Sequence, residues 1–259
     1  MDHDRQELER AISPEELGRY SRQMMLSGWD EEGQRRLRKA EVFVAGAGGL
    51  GSPVTMYLAA AGVGTLYVMD CDTPDFSNLN RQLLHSEEDV GKTNKAISAK
   101  MTLGKINPYV RVIAIPRRLT RDNASELVPP GVDVIVDCLD NFDARYTLNR
   151  VSVERGIPLV HASIWGWSGR ITVFAPPKTA CLRCLYEEGP PPGGVFPVVG
   201  VVPGVLGVMQ AAETLKYIVG GPLLTNRYLI LDLEQGEFYE VPIRKDPKCP
   251  ICGPLQPGG

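Results

Sequence analysis

Long, uninterrupted hydrophobic segments are missing from this sequence. The longest apolar stretch, at 195–209, is broken by glycine and proline and is too short to cross a membrane. The first ten residues are mostly charged, and no apolar segment follows them, which argues against a secretory signal. We therefore expect a cytoplasmic protein that does not associate with membranes.

A surplus of basic charge is also missing. The chain has 28 Lys and Arg against 31 Asp and Glu, and its net charge is -3 at pH 7. Because proteins bind nucleic acid largely by neutralising phosphates with basic side chains, this composition argues against nucleic acid as the partner. The 259 residues are 43% hydrophobic, which is enough for a packed core in one large or two small domains.

Cysteine occurs six times, and four of the six form two Cys-x-x-Cys pairs. In a cytosolic chain, two such pairs favour a metal site over disulfides, although redox disulfides remain an alternative. Four thiolates suit a closed, tetrahedral Zn²⁺ site with no open position for substrate, so we predict structural zinc. The predicted ligands are Cys181, Cys184, Cys249 and Cys252. The other two, Cys71 and Cys138, lie near predicted strand ends, and we expect both to be buried.

A glycine-rich turn follows the first predicted strand. The segment at 42–51 reads VFVAGAGGLG, and small residues typical of a helix follow it. Its glycines have the G-x-G-x-x-G spacing, which lets backbone N–H groups approach an anion at a helix N-terminus. Asp70 ends the next strand about 20 residues later, where such folds place a ribose-binding acid. The alternatives are a plain strand-to-helix turn and a solvated strand end.

Hydrophobic periodicity predicts an α/β chain with a Rossmann-like, mostly parallel sheet that continues into a mixed or antiparallel C-terminal part. We predict helices at 14–39, 51–61, 93–106, 142–155 and 205–219, with Gly28 and Gly33 dividing the first. Strands are predicted at 41–45, 65–70, 110–115, 132–139, 158–163, 170–175, 227–233 and 237–241. We interpret 1–259 as one domain with N-terminal helices (14–39), a nucleotide-binding half (40–170) and a second half (171–259). The Pro/Gly-rich stretch at about 186–200 is predicted to be a mobile loop.

Five segments together carry a family resemblance. They are RYSRQ at 19–23, GAGGLGSP at 46–53, SNLNRQ at 77–82, CLDN at 138–141 and the paired Cys-x-x-Cys. Between about 19 and 253, the chain closely resembles the ThiF/MoeB/HesA family, the prokaryotic relatives of ubiquitin-activating enzymes. A dehydrogenase would share only the glycines and the acid.

The resemblance implies a homodimeric enzyme that uses ATP and Mg²⁺. Such enzymes adenylate the C-terminal glycine of a small ubiquitin-like sulfur carrier, such as MoaD or ThiS, and prepare it for thiocarboxylate formation. The second half, 171–259, would bind the carrier and the zinc. A cysteine desulfurase or a rhodanese-like protein could donate the sulfur. Two alternatives are an enzyme of the same superfamily that activates a carboxylate on a tRNA nucleoside, and a non-catalytic dinucleotide-binding protein.

The resemblance also assigns roles to individual residues. The implied catalytic residues are Arg81, Asp140, Arg22 and Lys95, with Arg22 supplied across the dimer and Lys92 a rival to Lys95 for the phosphates. The implied nucleotide-binding residues are Gly46, Gly48, Gly49, Gly51, Asp70, Asp72, Asn78, Arg81, Gln82, Lys95, Leu139, Asp140 and Asn141. Taken singly, each charge could equally be a surface salt bridge.

One segment departs from the family pattern. Many members have a cysteine in a loop before the helix that begins near PGVLG, and here 193–207 contains none. We therefore expect adenylation without a covalent cysteine step on this loop. The sequence leaves open whether the product serves thiamine, molybdopterin, tRNA thiolation or amino-acid synthesis.

Overall fold

The computed structural model of this chain describes residues 12–186, 189 and 197–253. The helices are α1 (Pro14–Met24), α2 (Asp30–Lys39), α3 (Gly51–Ala61), α4 (Lys95–Ile106), α5 (Ala124–Leu127), α6 (Phe142–Arg155), α7 (Leu182–Leu185) and α8 (Val201–Val219). The strands are β1 (Glu41–Ala45), β2 (Thr65–Met69), β3 (Arg111–Ile115), β4 (Val134–Asp137), β5 (Leu159–Trp165), β6 (Ser168–Phe174), β7 (Arg227–Asp232) and β8 (Glu237–Pro242). Most of the predicted mobile loop lies outside the described residues.

One eight-stranded sheet organises the fold, in the order β3-β2-β1-β4-β5-β6-β7-β8. The strands from β3 to β5 are parallel, and β5 to β8 form an antiparallel series. The predicted fold class is therefore confirmed. The strand order reverses at β1, because β2 and β3 lie on one side of β1 and β4 lies on the other. In doubly wound folds, ligands bind in the crevice at this reversal, which the carboxyl ends of β1 and β4 border.

Helices cover both faces of the parallel part of the sheet. On one face, α3, α4 and α8 bury apolar side chains of β1, β2 and β4, such as Val44 and Val68. On the other face, α5 and α6 cover Phe43, Ile135 and Leu159. Within the described parts of the chain, no helix combines the length and apolarity that a membrane span requires.

The helix boundaries follow local capping chemistry. Ser13 and Glu16 form a capping box at the start of α1, with Pro14 in the first turn. The prediction that Gly33 divides the first helix was wrong, because Gly33 lies inside α2. The break contains Gly28, whose φ of +80° suits glycine. Helix α8 begins at Val201 rather than at 205, because Pro203 is tolerated in its first turn.

Candidate active site and metal centre

The glycine turn joins β1 to α3 at the carboxyl edge of the sheet. Gly46 has φ +102°, and a Cβ there would lie 2.5 Å from the carbonyl oxygen of Cys138. A Cβ on Gly51 would lie 2.0 Å from the carbonyl oxygen of Gly46, so both positions require glycine. The N–H groups of residues 48–51 donate to no acceptor within the described residues. The turn therefore presents free backbone donors at the positive end of α3.

Asp70 holds the other side of this turn. Its Oδ2 accepts a hydrogen bond from the N–H of Ala47 at 2.8 Å, and its Oδ1 accepts one from the N–H of Asp72 at 2.9 Å. Burial raises the pKa of Asp70, although these N–H donors and the charge of Lys95 oppose the shift. Each oxygen keeps acceptor capacity for a hydroxyl group, as the predicted ribose contact requires.

The polar segment that carries Asn78, Arg81 and Gln82 folds against the glycine turn. Asp75 and Asn78 form a capping box around a short 3₁₀ helix at Phe76–Asn78. The stem of Arg81 lies over the turn, since a Cβ on Gly49 would be 3.4 Å from its Cγ. The Arg81 guanidinium donates to the carbonyl oxygen of Ser77 at 2.8 Å.

Gln82 supplies an observation that bears on the ligand. Its side chain is buried, and its Nε2 would lie 3.5 Å from a Cβ on Gly48. Its Oε1 is also buried and has no donor near it in the described part of the chain. Free N–H donors beside an unpartnered acceptor fit a ligand that brings both phosphate oxygens and hydroxyl groups, as a nucleotide does.

Lys95 lies at the start of α4, beside the end of β2. Asn94 caps this helix, and its Nδ2 donates to the carbonyl oxygens of Asp70 and Asp72 at 3.0 and 3.1 Å. The Nζ of Lys95 is 4.0 Å from Oδ2 of Asp72, and its side chain is only 10% exposed. The rival, Lys92, is exposed. The structure thus places Lys95 among the predicted nucleotide-binding residues, and its contact with phosphate remains a prediction.

The loop after β4 carries Leu139, Asp140 and Asn141. The Leu139 peptide is held on both sides, because its N–H donates to Oδ1 of Asp137 at 3.0 Å and its carbonyl accepts from Arg145 at 2.5 Å. Asp140 is exposed, and Asn141 caps α6 by accepting from the N–H of Ala144 at 2.9 Å. An exposed carboxylate therefore lies at the crevice on a loop whose backbone is fixed.

A buried charged cluster beneath this loop was missed by the sequence analysis. Nδ1 of His161 donates to Oδ2 of Asp137 at 2.6 Å, and Nε of Arg145 lies 3.6 Å from the same oxygen. Burial opposes ionisation of Asp137, but Arg145 and His161 outweigh it and keep the pKa of that carboxyl below its usual value. Burial lowers the pKa of His161, which favours the neutral imidazole. The signal that could have revealed the cluster is an acidic residue inside an otherwise apolar strand.

Arg22 lies away from the other predicted catalytic residues. It is exposed, near the end of α1. Its neighbour Gln23 donates to the carbonyl oxygen of Ala61 at 2.8 Å, at the C-terminal end of α3. The phosphate end of α3 is its N-terminus, about 16 Å away over 11 residues. A single chain therefore does not bring Arg22 to Arg81, Lys95 and Asp140.

The four predicted metal ligands converge. All four Sγ atoms lie within 4.8 Å of one another, with Cys181 to Cys249 at 3.8 Å and Cys184 to Cys252 at 3.3 Å. A tetrahedron with Zn–S bonds of about 2.3 Å has edges of about 3.8 Å, so these separations fit zinc. Of the remaining cysteines, Cys138 is buried as expected, whereas Cys71 is exposed, contrary to the prediction.

Nitrogen donors surround this cluster as thiolate ligands require. Asn149 on α6 accepts a hydrogen bond from the N–H of Leu182 at 2.9 Å. The Nδ2 of Asn149 is buried beside the thiol of Cys181 and has no other hydrogen-bond partner in the described residues. Burial opposes ionisation of Cys249, but the backbone N–H groups of Cys252 and Ile251 outweigh it and lower its pKa. The donor set therefore fits a tetrahedral thiolate site for zinc.

A groove of about 290 Å³ lies between the antiparallel part of the sheet and α7. Arg170, Tyr228 and Ile230 line it from the sheet, and Tyr186 and Arg244 contribute to its walls. Large side chains on the neighbouring strands are exposed; these are Trp165, Phe238, Tyr239 and Val241. This end of the sheet thus presents an open, partly apolar surface beside the metal centre, since Cys184 also lines the groove.

Comparisons with known proteins agree with this geometry. A model described as the ThiF family matches residues 20–251. The chain is 45% identical over 250 residues to the sulfur carrier protein adenylyltransferase of Thermus thermophilus, covering 92% of each chain. It is 43% identical over 249 residues to the SAMP-activating enzyme E1 of Haloferax volcanii, covering 94% of this chain and 91% of that protein.

A solved structure extends the agreement to three dimensions. The crystal structure of E. coli MccB with ATP is similar to this chain, with a TM-score of 0.78 and 27% identity, over 91% of this chain and 74% of that chain. The fold, the paired cysteines and the match over nearly all of the described residues lead to the same assignment. The chain belongs to the ThiF family.

Proposed function

We propose that this chain uses ATP to adenylate the C-terminal carboxylate of a small ubiquitin-like sulfur carrier. The observation that supports the proposal is that free N–H donors, Lys95, Arg81 and Asp140 all lie at the carboxyl edge of the sheet, in the segments that follow β1, β2 and β4. The names of the relatives in Thermus thermophilus and Haloferax volcanii support an adenylating activity.

The chemistry suits these residue types. When a carboxylate attacks the α-phosphate, negative charge increases there and on the departing pyrophosphate. Catalysis then consists mainly of positioning the reactants and opposing that charge, and it needs no protein nucleophile. In the proposal, the glycine turn and Lys95 hold the phosphates, Arg81 swings from Ser77 toward the α-phosphate, and Asp70 binds the ribose. Asp72, Asn78, Gln82, Leu139 and Asn141 complete the nucleotide site.

Asp140 is the residue that we assign to Mg²⁺. Carboxylate oxygens are preferred magnesium ligands, and this carboxylate is exposed at the crevice. A bound Mg²⁺ would offset the charge of the phosphates. The cysteine centre has no open position, so we assign zinc a structural role there.

The carrier is proposed to bind at the open end of the sheet. The groove beside Tyr228 borders the metal centre through Cys184, and exposed side chains of the neighbouring strands extend this surface. A flexible carrier tail bound there could extend toward Asp140. Because 197–207 contains no cysteine, the proposed reaction ends with the acyl-adenylate, and a separate protein supplies the sulfur.

Exchange of labelled pyrophosphate into ATP tests the function. The wild-type protein should catalyse exchange only with a carrier that ends in Gly-Gly, and a carrier shortened by its last glycine is the matched control. Asp140→Asn and Arg81→Ala should each lower exchange by at least 10²-fold, since the first removes a ligand of the proposed Mg²⁺ and the second removes a positive charge that would oppose the charge of the transition state. Absence of exchange with every diglycine-ended carrier tested would falsify the proposal, and exchange that needs tRNA instead would establish the alternative substrate.

A further inference from the structure

His85 follows the polar segment and is 8% exposed. Its Nε2 lies 2.8 Å from the carbonyl oxygen of Ala47, in the middle of the glycine turn. Its Nδ1 lies 2.9 Å from the hydroxyl of Ser98, on α4. The same hydroxyl lies 2.9 Å from Oδ2 of Asp89. One buried imidazole therefore connects elements that are distant in sequence.

The proton positions on this imidazole follow from its partners. A carbonyl oxygen only accepts, so Nε2 carries the proton that binds Ala47. The Ser98 hydroxyl has a single proton. While it donates that proton to Asp89, Nδ1 donates to the Ser98 oxygen and the ring is charged; in the neutral ring, Nδ1 accepts the Ser98 proton in place of Asp89. The contact with Ala47 persists in both forms. Burial lowers the pKa of His85, with Lys95 acting in the same direction and Asp89 and Asp70 against it.

Each group that His85 touches belongs to a segment of the proposed ATP site. The Ala47 peptide is the centre of the glycine turn, with its N–H on Asp70 and its carbonyl on His85. The main chain of His85 continues from Gln82, whose carbonyl accepts its N–H at 3.1 Å. Ser98 lies one helical turn beyond Lys95 on α4. The glycine turn, the Arg81 segment and the Lys95 helix thus meet at one side chain.

We propose that His85 is a positioning residue that fixes these three segments relative to one another and thereby sets the affinity for ATP without touching it. This inference rests on the proposed function of the same site. The N–H of Ala47 remains bound to Asp70 when His85 is changed, so the turn stays folded but loses the restraint on its carbonyl side. Misplaced donors bind phosphate more weakly, because preorganisation is lost.

Three variants separate the contacts. His85→Leu removes both hydrogen bonds. In His85→Gln, the amide N–H can donate to Ala47 and the amide oxygen can accept from Ser98, so this variant should rescue. Ser98→Ala removes only the second link. We expect His85→Leu to raise the dissociation constant of ATP about ten-fold, equivalent to about 1.4 kcal/mol. Ser98→Ala should raise it less, and His85→Gln should lie close to wild type.

Calorimetric ATP binding in the absence of carrier is the primary measurement, and the KM values for ATP and carrier in the exchange assay are the second. The KM for ATP should rise in His85→Leu while the KM for carrier stays constant. The inference is overturned by unchanged ATP affinity in His85→Leu, by a parallel rise in both KM values, or by a Gln variant that behaves like Leu. If the wild type binds ATP but exchanges with no carrier, the proposed function fails while the affinity comparison still decides the role of His85.

A ¹⁵N spectrum of the histidine side chains provides a readout that does not depend on ATP. The contacts predict an Nε2–H ring for His85 and an Nδ1–H ring for His161, because His161 donates to Asp137 through Nδ1. The signal assigned by its loss in His85→Gln should show the Nε2–H pattern. An Nδ1–H pattern for that signal would contradict the contact with Ala47.

Discussion

Two buried histidines of this chain carry their protons on opposite ring nitrogens. His85 must donate through Nε2 to a carbonyl oxygen, and His161 must donate through Nδ1 to a carboxylate. Each ring therefore fixes a backbone segment of the candidate site. His85 holds the glycine turn directly, and His161 acts through Asp137 on the peptide of Leu139. Both rings should make the native state less stable in acid, because a buried imidazole resists protonation whereas the same imidazole in the unfolded chain binds a proton.

This resistance predicts a pH dependence of stability. The pKa of His161 is lowered in the native state from its usual 6.5, so the unfolded chain binds a proton that the native chain does not. The free energy of unfolding should therefore fall as the pH decreases below about 6.5, by up to about 1.4 kcal/mol per pH unit for each such group. Protonation of Asp137 should also lower the free energy of unfolding, but only at a more acidic pH, since the native pKa of this carboxyl lies below 3.8.

His161→Asn is the matched variant, because its amide N–H can still donate to Asp137 and the side chain does not titrate. Urea unfolding at pH 8, 6.5 and 5.5 should give a shallower pH dependence for the variant than for wild type. Some slope should remain, because His85 is retained. Identical slopes for the two proteins would show that His161 does not titrate between the two states.

At the scale of helices and strands, the contact between α3 and α8 depends on one glycine. A Cβ on Gly207 would lie 2.4 Å from Cγ of Pro53 and 2.5 Å from the carbonyl oxygen of Leu50. Neither the ring nor the backbone can move aside easily. Because Leu50 immediately precedes α3, a displacement there reaches the N–H groups proposed to bind phosphate.

Gly207→Ala should lower the free energy of unfolding by about 1–3 kcal/mol and weaken ATP binding. Gly204→Ala is the control on the same helix, since no atom lies within 4 Å of its added Cβ, and it should be neutral or stabilising by up to about 1 kcal/mol. Urea unfolding and calorimetry measure the two effects. Equal stability of both variants would mean that α8 can shift without cost.

The sequence predicts elements whose ends are set locally and misses contacts between distant residues. Helix α6 was predicted to the residue, because Asn141 caps it and Gly156 ends it in a left-handed conformation. The glycine turn was predicted from its spacing alone. The partners of His85 lie at Ala47 and Ser98, and no local pattern links them. Asp137 was likewise hidden within an apolar run, since burial and partners are decided by the tertiary fold.

At the scale of the whole molecule, a single subunit does not bring all four predicted catalytic residues together. Arg22 lies near the C-terminal end of α3, whereas the phosphates are proposed to bind at the N-terminal end of that helix. Met25 and Leu26, which follow α1 directly, are 75% and 58% exposed, and a second copy of the chain could cover them. We propose that a homodimer brings Arg22 of one subunit to the nucleotide of the other.

Mixing two inactive variants tests this arrangement. Arg22→Ala and Asp140→Asn should each lack exchange activity. If Arg22 acts across the dimer, a mixed dimer has one site with both native residues, and an equimolar mixture should recover about a quarter of wild-type activity. The mixture should be compared with each variant alone after the same unfolding and refolding. Recovery of no activity in verified mixed dimers would place Arg22 in its own subunit's site or outside catalysis.

Helix α6 connects the nucleotide crevice to the metal centre, and its length between them determines which way its side chains point at each end. Asn141 begins it at the nucleotide crevice, and Asn149 contacts Leu182 and Cys181 at the metal centre. Eight residues at about 1.5 Å each separate these side chains by about 12 Å and a little over two turns. One residue inserted between them would rotate Asn149 by about 100° away from the cysteines. The length of this helical segment is therefore fixed by geometry, even at positions that contact neither nucleotide nor metal.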